Sequence, residues 1–336
     1  MMEAPLLDIR NLRAAFPGPD GPVEAVRGVD FTLDAGQVLG VVGESGSGKS
    51  VAMMALLQLL PDHATVGGSA KFKGRELVGM PVRQIRQIRG RDIGCIFQDP
   101  LSAFNPVVTI GNQIVEAIRL HDRRIGYRAA LAKAVDLLAS VSIPQPASRV
   151  QQYPHEFSGG MRQRAMIAMA LANDPSLLIA DEPTTALDVT VQAQILDLLQ
   201  QLAQDRGIGM VLITHDLGVV ARMARDIAVM YGGRVVETGT ADDIFYHTSH
   251  PYTRGLIAAM PTLDSVGRTL TPIDGVPPSI FDRPAGCSFA PRCGFAVATC
   301  RTTDPELRQV GATRSACLRA EELVEQSVPL AAGVTA

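Results

Sequence analysis

The sequence predicts an α/β fold with a mostly parallel sheet. The prediction rests on three short apolar runs, residues 38–42, 177–180 and 210–213, each followed by glycine or polar residues. Continuous apolar runs of this length are typical of strands that are buried on both faces of a parallel sheet. Because ligands bind at the carboxyl ends of such strands, we expect the functional residues to follow these runs.

The other elements are predicted from turns and apolar spacing. Residues 6–12 and 26–33 have strand-like patterns and are separated by a turn-rich segment, which predicts an antiparallel N-terminal β part. A helical run follows at 50–60, and the middle of the chain, roughly 112–201, is mostly helical. After about residue 260 frequent prolines predict an irregular C-terminal segment.

Composition excludes several classes of protein. The chain has 336 residues, 46% of them hydrophobic and 19% charged, so it has enough apolar material for a core. A net charge of −3 does not suit a protein that binds nucleic acid through a basic surface. Five cysteines are too few for a fold held together by disulfides. We see neither an apolar stretch of about 20 residues nor a signal peptide, and therefore expect a cytosolic chain that could dock on a membrane protein.

A phosphate-binding motif follows the first apolar run. Its sequence matches G-x-x-x-x-G-K-[ST] and comprises Gly43, Glu44, Ser45, Gly46, Ser47, Gly48, Lys49 and Ser50. The glycines let backbone N–H groups turn toward phosphates, and the N-terminus of the following helix adds partial positive charge. We expect Lys49 to reach the β- and γ-phosphates and Ser50 to ligate magnesium.

Polar residues that follow the other apolar runs predict the catalytic groups. Asp181 is expected to hold magnesium, and Glu182 to polarise the attacking water. His215 follows the run at 210–213 and is expected to sense the γ-phosphate. Gln98 follows Ile96 and Phe97 at the end of an apolar strand, and its amide is expected to contact magnesium or the attacking water.

With these motifs in order, the sequence resembles an ABC ATPase. Residues 157–164 read F-S-G-G-M-R-Q-R, which resembles the signature of that family. The resemblance implies an ABC cassette with an inserted helical subdomain at about 100–165, using ATP and Mg²⁺. It also implies that Ser158, Gly159 and Gly160 bind the γ-phosphate held by a second cassette in a head-to-tail dimer. Segment 186–188, with Asp188, resembles the D-loop at that seam, and Phe16 falls where the family stacks an aromatic ring on adenine.

Further segments resemble one subset, the ATPase subunits of dipeptide and oligopeptide importers. They are the methionine in the signature, the Q-loop extension at 98–106, the segment 250–256 and the tail segment 286–293. The resemblance implies a nucleotide-binding domain at 1–255 and a C-terminal extension at 256–336. It implies a related, non-identical second ATPase subunit, two membrane-spanning permease subunits and an external solute-binding protein. The chain would be peripheral, on the cytoplasmic side of the inner membrane.

The last four cysteines form a candidate metal site. Cys287, Cys293, Cys300 and Cys317 are spaced C-x5-C-x6-C-x16-C. Structural zinc sites prefer closer pairs, so this spacing favours a [4Fe–4S] cluster, as carried by some importer subunits that this tail resembles. Zinc and the absence of any metal stay open as alternatives.

Other functions also stay open. The same type of ATPase could serve nickel, an opine or another small solute, since cargo is chosen by other subunits. A soluble ABC ATPase acting on nucleic acid is the second alternative, although neither a second cassette nor a coiled-coil insertion is visible. The basic stretch at 71–91 lacks interleaved aromatic residues, so we interpret it as a solvated face and expect no nucleic-acid partner.

Overall fold

The computed structural model describes residues 4–185, 187–260 and 272–325. In these ranges no helix combines the length and the apolar character that crossing a bilayer requires. The strands are β1 (Leu7–Gly18), β2 (Gly21–Leu33), β3 (Val38–Val42), β4 (Thr65–Phe72), β5 (Arg75–Glu76), β6 (Ile93–Ile96), β7 (Leu177–Asp181), β8 (Gly209–Thr214), β9 (Asp226–Tyr231), β10 (Arg234–Thr240), β11 (Arg308–Val310) and β12 (Thr313–Ser315).

The helices range from one turn to 18 residues. They are α1 (Lys49–Leu56), α2 (Val82–Ile88), α3 (Pro100–Ala103), α4 (Ile110–His121), α5 (Tyr127–Ser140), α6 (Pro146–Arg149), α7 (Gly159–Ala170), α8 (Val189–Arg206), α9 (Leu217–Met223), α10 (Ala241–Tyr246), α11 (Pro251–Ala258) and α12 (Ala320–Glu325).

The described residues form two compact units. The first contains residues from 1–33, 38–79 and 214–336, and the second contains residues from 34–37 and 80–213. The C-terminal extension therefore belongs to the same unit as β3 and the phosphate-binding motif. The division predicted from the sequence, at residues 255 and 256, does not coincide with these units and stays a prediction.

The first unit contains two groups of paired strands. An antiparallel sheet has the order β2-β1-β4-β5 and confirms the predicted N-terminal β part, with Leu7 opposite Leu33. In the second group β3 runs parallel to β9, with Val41 opposite Ala228, and β9 pairs antiparallel with β10. β12 pairs with β10 and β11 pairs with β12, so the extension adds two strands that the sequence analysis missed.

Three aromatic side chains pack in the core of the first unit. Tyr231 at the end of β9, Tyr252 in α11 and Phe289 in the extension lie with ring centroids 4.6–5.4 Å apart. All three are buried together with apolar residues of β3, β9 and α9. Such contacts contribute about 0.5–1.5 kcal/mol per aromatic pair beyond the burial of apolar area. The extension therefore shares a core with the strand that precedes the phosphate-binding motif.

A buried carboxylate ties the extension to β10. Glu237 is fully buried and accepts hydrogen bonds from the hydroxyls of Thr248 (2.7 Å), Ser249 (3.0 Å) and Thr313 (3.1 Å), and from the N–H of Ser249 (2.6 Å). Burial raises the pKa of Glu237, while the hydrogen bonds from Ser249 and Thr248 act in the opposite direction. Because a buried carboxyl group without partners is costly, this network requires Thr313 and β12 to stay in place.

The second unit has a parallel sheet with helices between its strands. β7 pairs with β6 on one side and with β8 on the other, with Leu177 opposite both Ile93 and Gly209. Every residue of β7 and β8 is buried, as the continuous apolar runs predicted. Helices α3 to α7 lie in the chain between β6 and β7, where the sequence predicted an inserted helical part.

We predict that His250 makes the stability of the protein depend on pH. His250 is buried at the start of α11, where its Nδ1 accepts the N–H of Tyr252 at 3.1 Å, and burial lowers its pKa to about 4 from 6.5. Below pH 6.5 the imidazole of His250 is therefore protonated in the unfolded chain but stays neutral in the folded chain until the pH approaches 4. Stability is therefore full above pH 6.5 and declines as the pH falls toward 4, by about 2 kcal/mol between pH 7 and pH 5.

The measurement is denaturant unfolding of the wild type and of His250→Asn at both pH values. Asn accepts the same N–H but does not titrate, so its loss of stability should be smaller by about 2 kcal/mol. All other titrating groups, Glu237 included, are common to both proteins and cancel in the comparison. His155→Asn, at an exposed position, is the control and should behave as the wild type. Equal losses in the wild type and in His250→Asn would contradict the prediction.

Candidate functional site

The phosphate loop, residues 43–50, connects β3 to α1 in the first unit. Its first glycine cannot be replaced without a collision, because a Cβ atom on Gly43 would lie 2.2 Å from the carbonyl oxygen of Met230. Gly48 has a φ of +97° and caps α1, and a Cβ there would lie 2.8 Å from the carbonyl oxygen of Ala25. The two glycines therefore allow the loop to pack closely against its neighbours and to turn its backbone into α1.

Lys49 lies inside the curve of the loop. Its side chain is 5% exposed, and its Nζ donates to the carbonyl oxygens of Gly43 (2.6 Å) and Glu44 (3.0 Å). Ser47 is also buried, whereas Ser45 and Gly46 are exposed and Ser50 is half-buried at the start of α1. The loop thus presents its outer turn and a helix N-terminus to solvent, an arrangement suited to an anion.

The other predicted residues of the first unit lie at strand ends. Phe16 is near the end of β1, opposite Val23, and its ring centre lies 6.4 Å from that of His63 in an edge-on arrangement. It is half-buried, so one part of the ring is open to stacking. His215 directly follows β8 and is exposed, next to Asp216, which caps α9.

In the second unit the structure brings two predicted catalytic residues together. Gln98 follows β6, Glu182 follows β7, and the Gln98 amide donates to Oε2 of Glu182 at 3.3 Å. The same oxygen accepts the hydroxyl of Thr185 at 2.8 Å, and the N–H of Glu182 donates to the carbonyl of Ile213 at 2.9 Å. Asp181, the last residue of β7, is buried.

The backbone of Glu182 is unusual. Its φ is +47°, a left-handed conformation that costs energy in a residue with a Cβ atom. This turn directs the chain away from β7 and leaves the carboxylate between the amide of Gln98 and the hydroxyl of Thr185. Sequence reasoning found Gln98 and Glu182 from their positions after apolar runs, but it missed Thr185, which has no distinguishing pattern.

The predicted signature residues begin a helix. Ser158 caps α7, its hydroxyl accepting the N–H of Met161 at 3.3 Å, and Gly159 and Gly160 form the first turn. Ser158 and Gly159 are exposed, so the positive end of this helix is open to solvent. Asp188 is exposed and caps α8, accepting the N–H of Val191 at 2.9 Å. Ala186, the first residue of the predicted D-loop, lies outside the described residues.

The four cysteines of the extension surround one small cavity. Cys287, Cys293, Cys300 and Cys317 line it together with mainly apolar side chains, among them Phe289 and Leu318. All four are free thiols. Burial raises the pKa of Cys287 and of Cys293, and raises that of Cys317 to about 11, so these groups are neutral near pH 7 without a metal.

The four thiols do not form a metal-holding group in this arrangement. Within the part of the chain that the structure describes, no three His, Cys, Asp or Glu side chains are grouped so as to hold a metal ion. The N–H of Arg319 donates to Sγ of Cys317 at 3.4 Å, a contact of the kind that tunes thiolate ligands.

Two residues from the family-like segments 250–256 and 286–293 contact the phosphate loop, a contact that the sequence analysis did not predict. The Oη of Tyr252 accepts the N–H of Glu44 at 2.8 Å, and the guanidinium of Arg292 pairs with the carboxylate of Glu44. They are 208 and 248 residues away from Glu44 in the sequence. No local pattern signals a contact over such a separation.

Comparison with known proteins identifies two family regions in the chain. Residues 26–185 match the family described as "ABC transporter", and residues 236–300 match "Oligopeptide/dipeptide transporter, C-terminal region". The first region contains the phosphate loop, the signature and the residues that follow β7. The second contains three of the four cysteines of the extension.

Similar sequences carry names from peptide transport. The chain is 50% identical to "Oligopeptide transport ATP-binding protein OppD" of Haemophilus influenzae, over 95% of this chain and 98% of that protein. It is 48% identical to "Dipeptide transport ATP-binding protein DppD" of Bacillus subtilis, over 89% and 90%. It also matches OppD of Mycobacterium tuberculosis at 50% identity over 96% of this chain, but spans only about half (53%) of that relative's length.

Solved structures share the fold. "Dimeric Structure of MJ0796, a Bacterial ABC Transporter Cassette" has a TM-score of 0.63 and 25% identity, covering 70% of this chain and 98% of that one. The cbiO1 protein of Clostridium perfringens, part of the ABC transporter complex cbiONQ, has a TM-score of 0.61 over 72% of this chain and 91% of its own. The shared part has the length of one cassette and leaves over a quarter of this chain unmatched.

Proposed function

Because this chain belongs to the ABC transporter family, among the oligopeptide and dipeptide transport ATP-binding proteins, we propose that it hydrolyses ATP to power the uptake of short peptides. The observation that carries the enzymatic part is the arrangement of Glu182, whose carboxylate is oriented by Gln98 and Thr185 directly after β7. The observation that supports peptide cargo is the match of residues 236–300 to the C-terminal region of peptide transporters.

The nucleotide would bind at the phosphate loop. Backbone N–H groups of residues 43–50 and the ammonium of Lys49 neutralise the β- and γ-phosphates, and Phe16 stacks on the adenine. Ser50, Asp181 and Gln98 offer a hydroxyl, a carboxylate and an amide oxygen, the hard donors that Mg²⁺ prefers. Bound Mg²⁺ would offset negative charge that develops on the phosphates.

Glu182 would act as the base for hydrolysis. Its carboxylate accepts a proton from water as the water oxygen attacks the γ-phosphorus, and the bond to the β–γ bridging oxygen breaks to release ADP and phosphate. The hydrogen bonds from Gln98 and Thr185 restrict its rotamer and so reduce the cost of orienting the base. His215 would donate a hydrogen bond to the γ-phosphate, and this contact would be lost when the phosphate is released.

A second cassette would complete each nucleotide site. The exposed N-terminus of α7, formed by Ser158, Gly159 and Gly160, is suited to bind the γ-phosphate held by the other cassette. Asp188, exposed at the start of α8, would lie near the seam. We propose that ATP closes this head-to-tail dimer and that hydrolysis reopens it, with a related but non-identical chain as the second cassette.

The remaining partners would be two membrane-spanning permease subunits and an external solute-binding protein. This places the chain at the cytoplasmic face of the inner membrane as a peripheral subunit. The cargo is a dipeptide or oligopeptide; nickel, an opine or another small solute is the alternative, since the permease and the binding protein select what is carried.

We also propose that the extension holds a [4Fe–4S] cluster. The observation that supports it is that four thiols line one largely apolar cavity. A cubane cluster spreads its four cysteine ligands over several irons, whereas zinc draws them to one centre. The four thiols would lose their protons on binding, so loading should be favoured as the pH rises. Its role would be structural.

We predict that Glu182→Gln abolishes hydrolysis while ATP still binds. Gln keeps the size and hydrogen-bonding ability of the side chain but cannot take up a proton, so turnover should fall by about 100-fold or more. The measurement is phosphate release by the assembled transporter, with MgATP affinity determined in parallel. Asp136→Asn, an exposed amide substitution in the same unit, is the control. Hydrolysis of Glu182→Gln at the wild-type rate would exclude Glu182 as the base.

We predict that the full chain co-purifies with integral membrane proteins. The Glu182→Gln variant, loaded with MgATP, should trap the assembly, because the closed dimer cannot hydrolyse its nucleotide. Affinity capture from solubilised native membranes, followed by protein identification, should recover two permease subunits and a second cassette. Recovery of nucleic acid or ribosomal proteins in their place would favour the soluble ATPase alternative.

We predict that Cys300→Ser loses the cluster. Cys300 is the buried cysteine of the four, so its loss removes one ligand and opens the cavity. Protein purified without oxygen should contain about four irons and four sulfides per chain, and Cys300→Ser should contain much less of both. Cys95→Ser, in the second unit, is the matched control and should keep its iron. Unchanged iron in Cys300→Ser, or one zinc per wild-type chain, would contradict the proposal.

A further inference from the structure

The extension reaches the phosphate loop through one ion pair. The Nη1 of Arg292 donates to Oε2 of Glu44 at 2.6 Å, and its Nη2 donates to Oε1 at 3.0 Å. The Arg292 side chain is 5% exposed and that of Glu44 is 27% exposed. Two parallel charge-assisted hydrogen bonds in a mostly buried setting define the geometry of both groups far better than a surface pair does.

Arg292 is held on every side. Its Nε donates to the carbonyl of Asp274 at 2.8 Å, Nη2 donates also to the carbonyl of Ile273 at 3.2 Å, and Nη1 to the Oη of Tyr231 at 3.3 Å. The guanidinium also lies 5.9 Å from the ring centres of Tyr231 and Phe289. The bond to Glu44 raises the pKa of Arg292, so the group stays charged at every accessible pH. The guanidinium of Arg292 therefore places a fixed positive charge against the phosphate loop.

Glu44 is the point at which the loop receives these contacts. Its N–H is bound by Tyr252, and its carbonyl oxygen accepts the N–H of Ser47 at 3.2 Å as well as the ammonium of Lys49 at 3.0 Å. The carboxylate, the N–H and the carbonyl of one residue are therefore all engaged. A displacement of Glu44 would move the carbonyl group that positions Lys49, the cation expected to meet the phosphates.

The charge of Glu44 gives the pair a second consequence. A carboxylate in a loop that binds a triphosphate repels the ligand, since like charges at short range cost free energy. Arg292 neutralises this carboxylate through two hydrogen bonds. The loop therefore tolerates Glu44 only while Arg292 is in place.

The pair is not required to hold the extension in the fold. β12 is paired to β10, Glu237 binds Thr313, and Arg27 pairs with Asp304 at 2.8 Å, all independently of Arg292. Three other anchors thus fasten the extension to the first unit. The ion pair between Arg292 and Glu44 is therefore not needed to attach the extension, and we expect its main effect on the phosphate loop.

We infer that Arg292 is a positioning residue for the nucleotide site: the C-terminal extension supplies, within the same chain, the cation that neutralises Glu44 and fixes the phosphate loop for MgATP. The inference rests on the proposed ATPase function. It assigns to the extension a part in nucleotide binding that does not depend on the content of the cysteine cavity.

The test is a double-mutant cycle on the full-length chain, with the Kd for MgATP measured by titration calorimetry. Arg292→Gln leaves the charge of Glu44 uncompensated and should raise the Kd by about 10-fold. Glu44→Gln removes that charge together with the paired hydrogen bonds, so Glu44→Gln alone and the double variant should both raise the Kd by only about 3-fold. Arg308→Gln breaks an exposed ion pair with Glu321 in the same extension and is the matched control, with an unchanged Kd.

The rescue separates positioning from general stability. If Arg292 only stabilised the fold, Glu44→Gln would not restore binding to the Arg292→Gln variant, and that result would overturn the inference. A Kd of Arg292→Gln equal to that of the wild type would overturn it as well. A wild-type chain that does not bind MgATP would refute the proposed function itself, which is a separate result.

A second variant covers the case in which Arg292→Gln does not fold. Arg292→Lys keeps the positive charge but cannot form the two parallel hydrogen bonds. It should keep the circular dichroism spectrum of the wild type and raise the Kd by a smaller factor, about 3-fold. Wild-type affinity in a folded Arg292→Lys variant would show that charge alone suffices and would overturn the assignment of a fixed geometry.

Discussion

The phosphate loop surrounds the ammonium group of Lys49, and contacts from several parts of the first unit hold the loop in this conformation. The ammonium is almost fully buried and binds the carbonyls of Gly43 and Glu44. A buried cation without such partners would be prohibitively costly, so the loop must hold these carbonyls toward it. Close approach of Gly43 to the carbonyl of Met230 sets the start of the loop, and Tyr252 and Arg292 hold Glu44. The anion-binding shape is thus supported by residues far from the motif.

The extension is part of this support. Phe289 packs against Tyr231 and Tyr252, and Tyr252 in turn binds the loop, so the aromatic core and the phosphate loop are one packed assembly. The buried carboxylate of Glu237 would lose a hydrogen-bond donor if β12 left β10. Since an unsatisfied buried carboxyl group is expensive, detachment of the extension would destabilise the sheet that carries the loop. The stability of the sheet that carries the phosphate loop therefore depends in part on the extension.

Local patterns predicted the parts of this structure that local physics determines. Apolar runs identified β3, β6, β7 and β8, and the ends of β3, β6 and β7 located the phosphate loop, Gln98 and Glu182, because a buried parallel strand constrains both its composition and the position of the residues after it. The contacts of Arg292 and Tyr252 with Glu44 had no such signal, since they join positions over 200 residues apart. β11 and β12 were missed for a related reason. Each has only three residues, and their pairing is long-range: β12 pairs with β10, and β11 pairs with β12.

The position of Arg292 also bears on the cysteine cavity. Residues 290–292 form a short 3-10 turn between Cys287 and Cys293, and the N–H of Cys287 donates to the carbonyl of Cys300 at 2.9 Å. Arg292 is therefore the direct sequence neighbour of Cys293, which lines the cavity, while its guanidinium contacts Glu44 of the phosphate loop. The two parallel hydrogen bonds to Glu44 and the contacts with Tyr231, Ile273 and Asp274 fix the arginine on their own. The cysteine cavity and the nucleotide site thus have neighbouring residues in the extension, but the contact with the phosphate loop is made by the arginine.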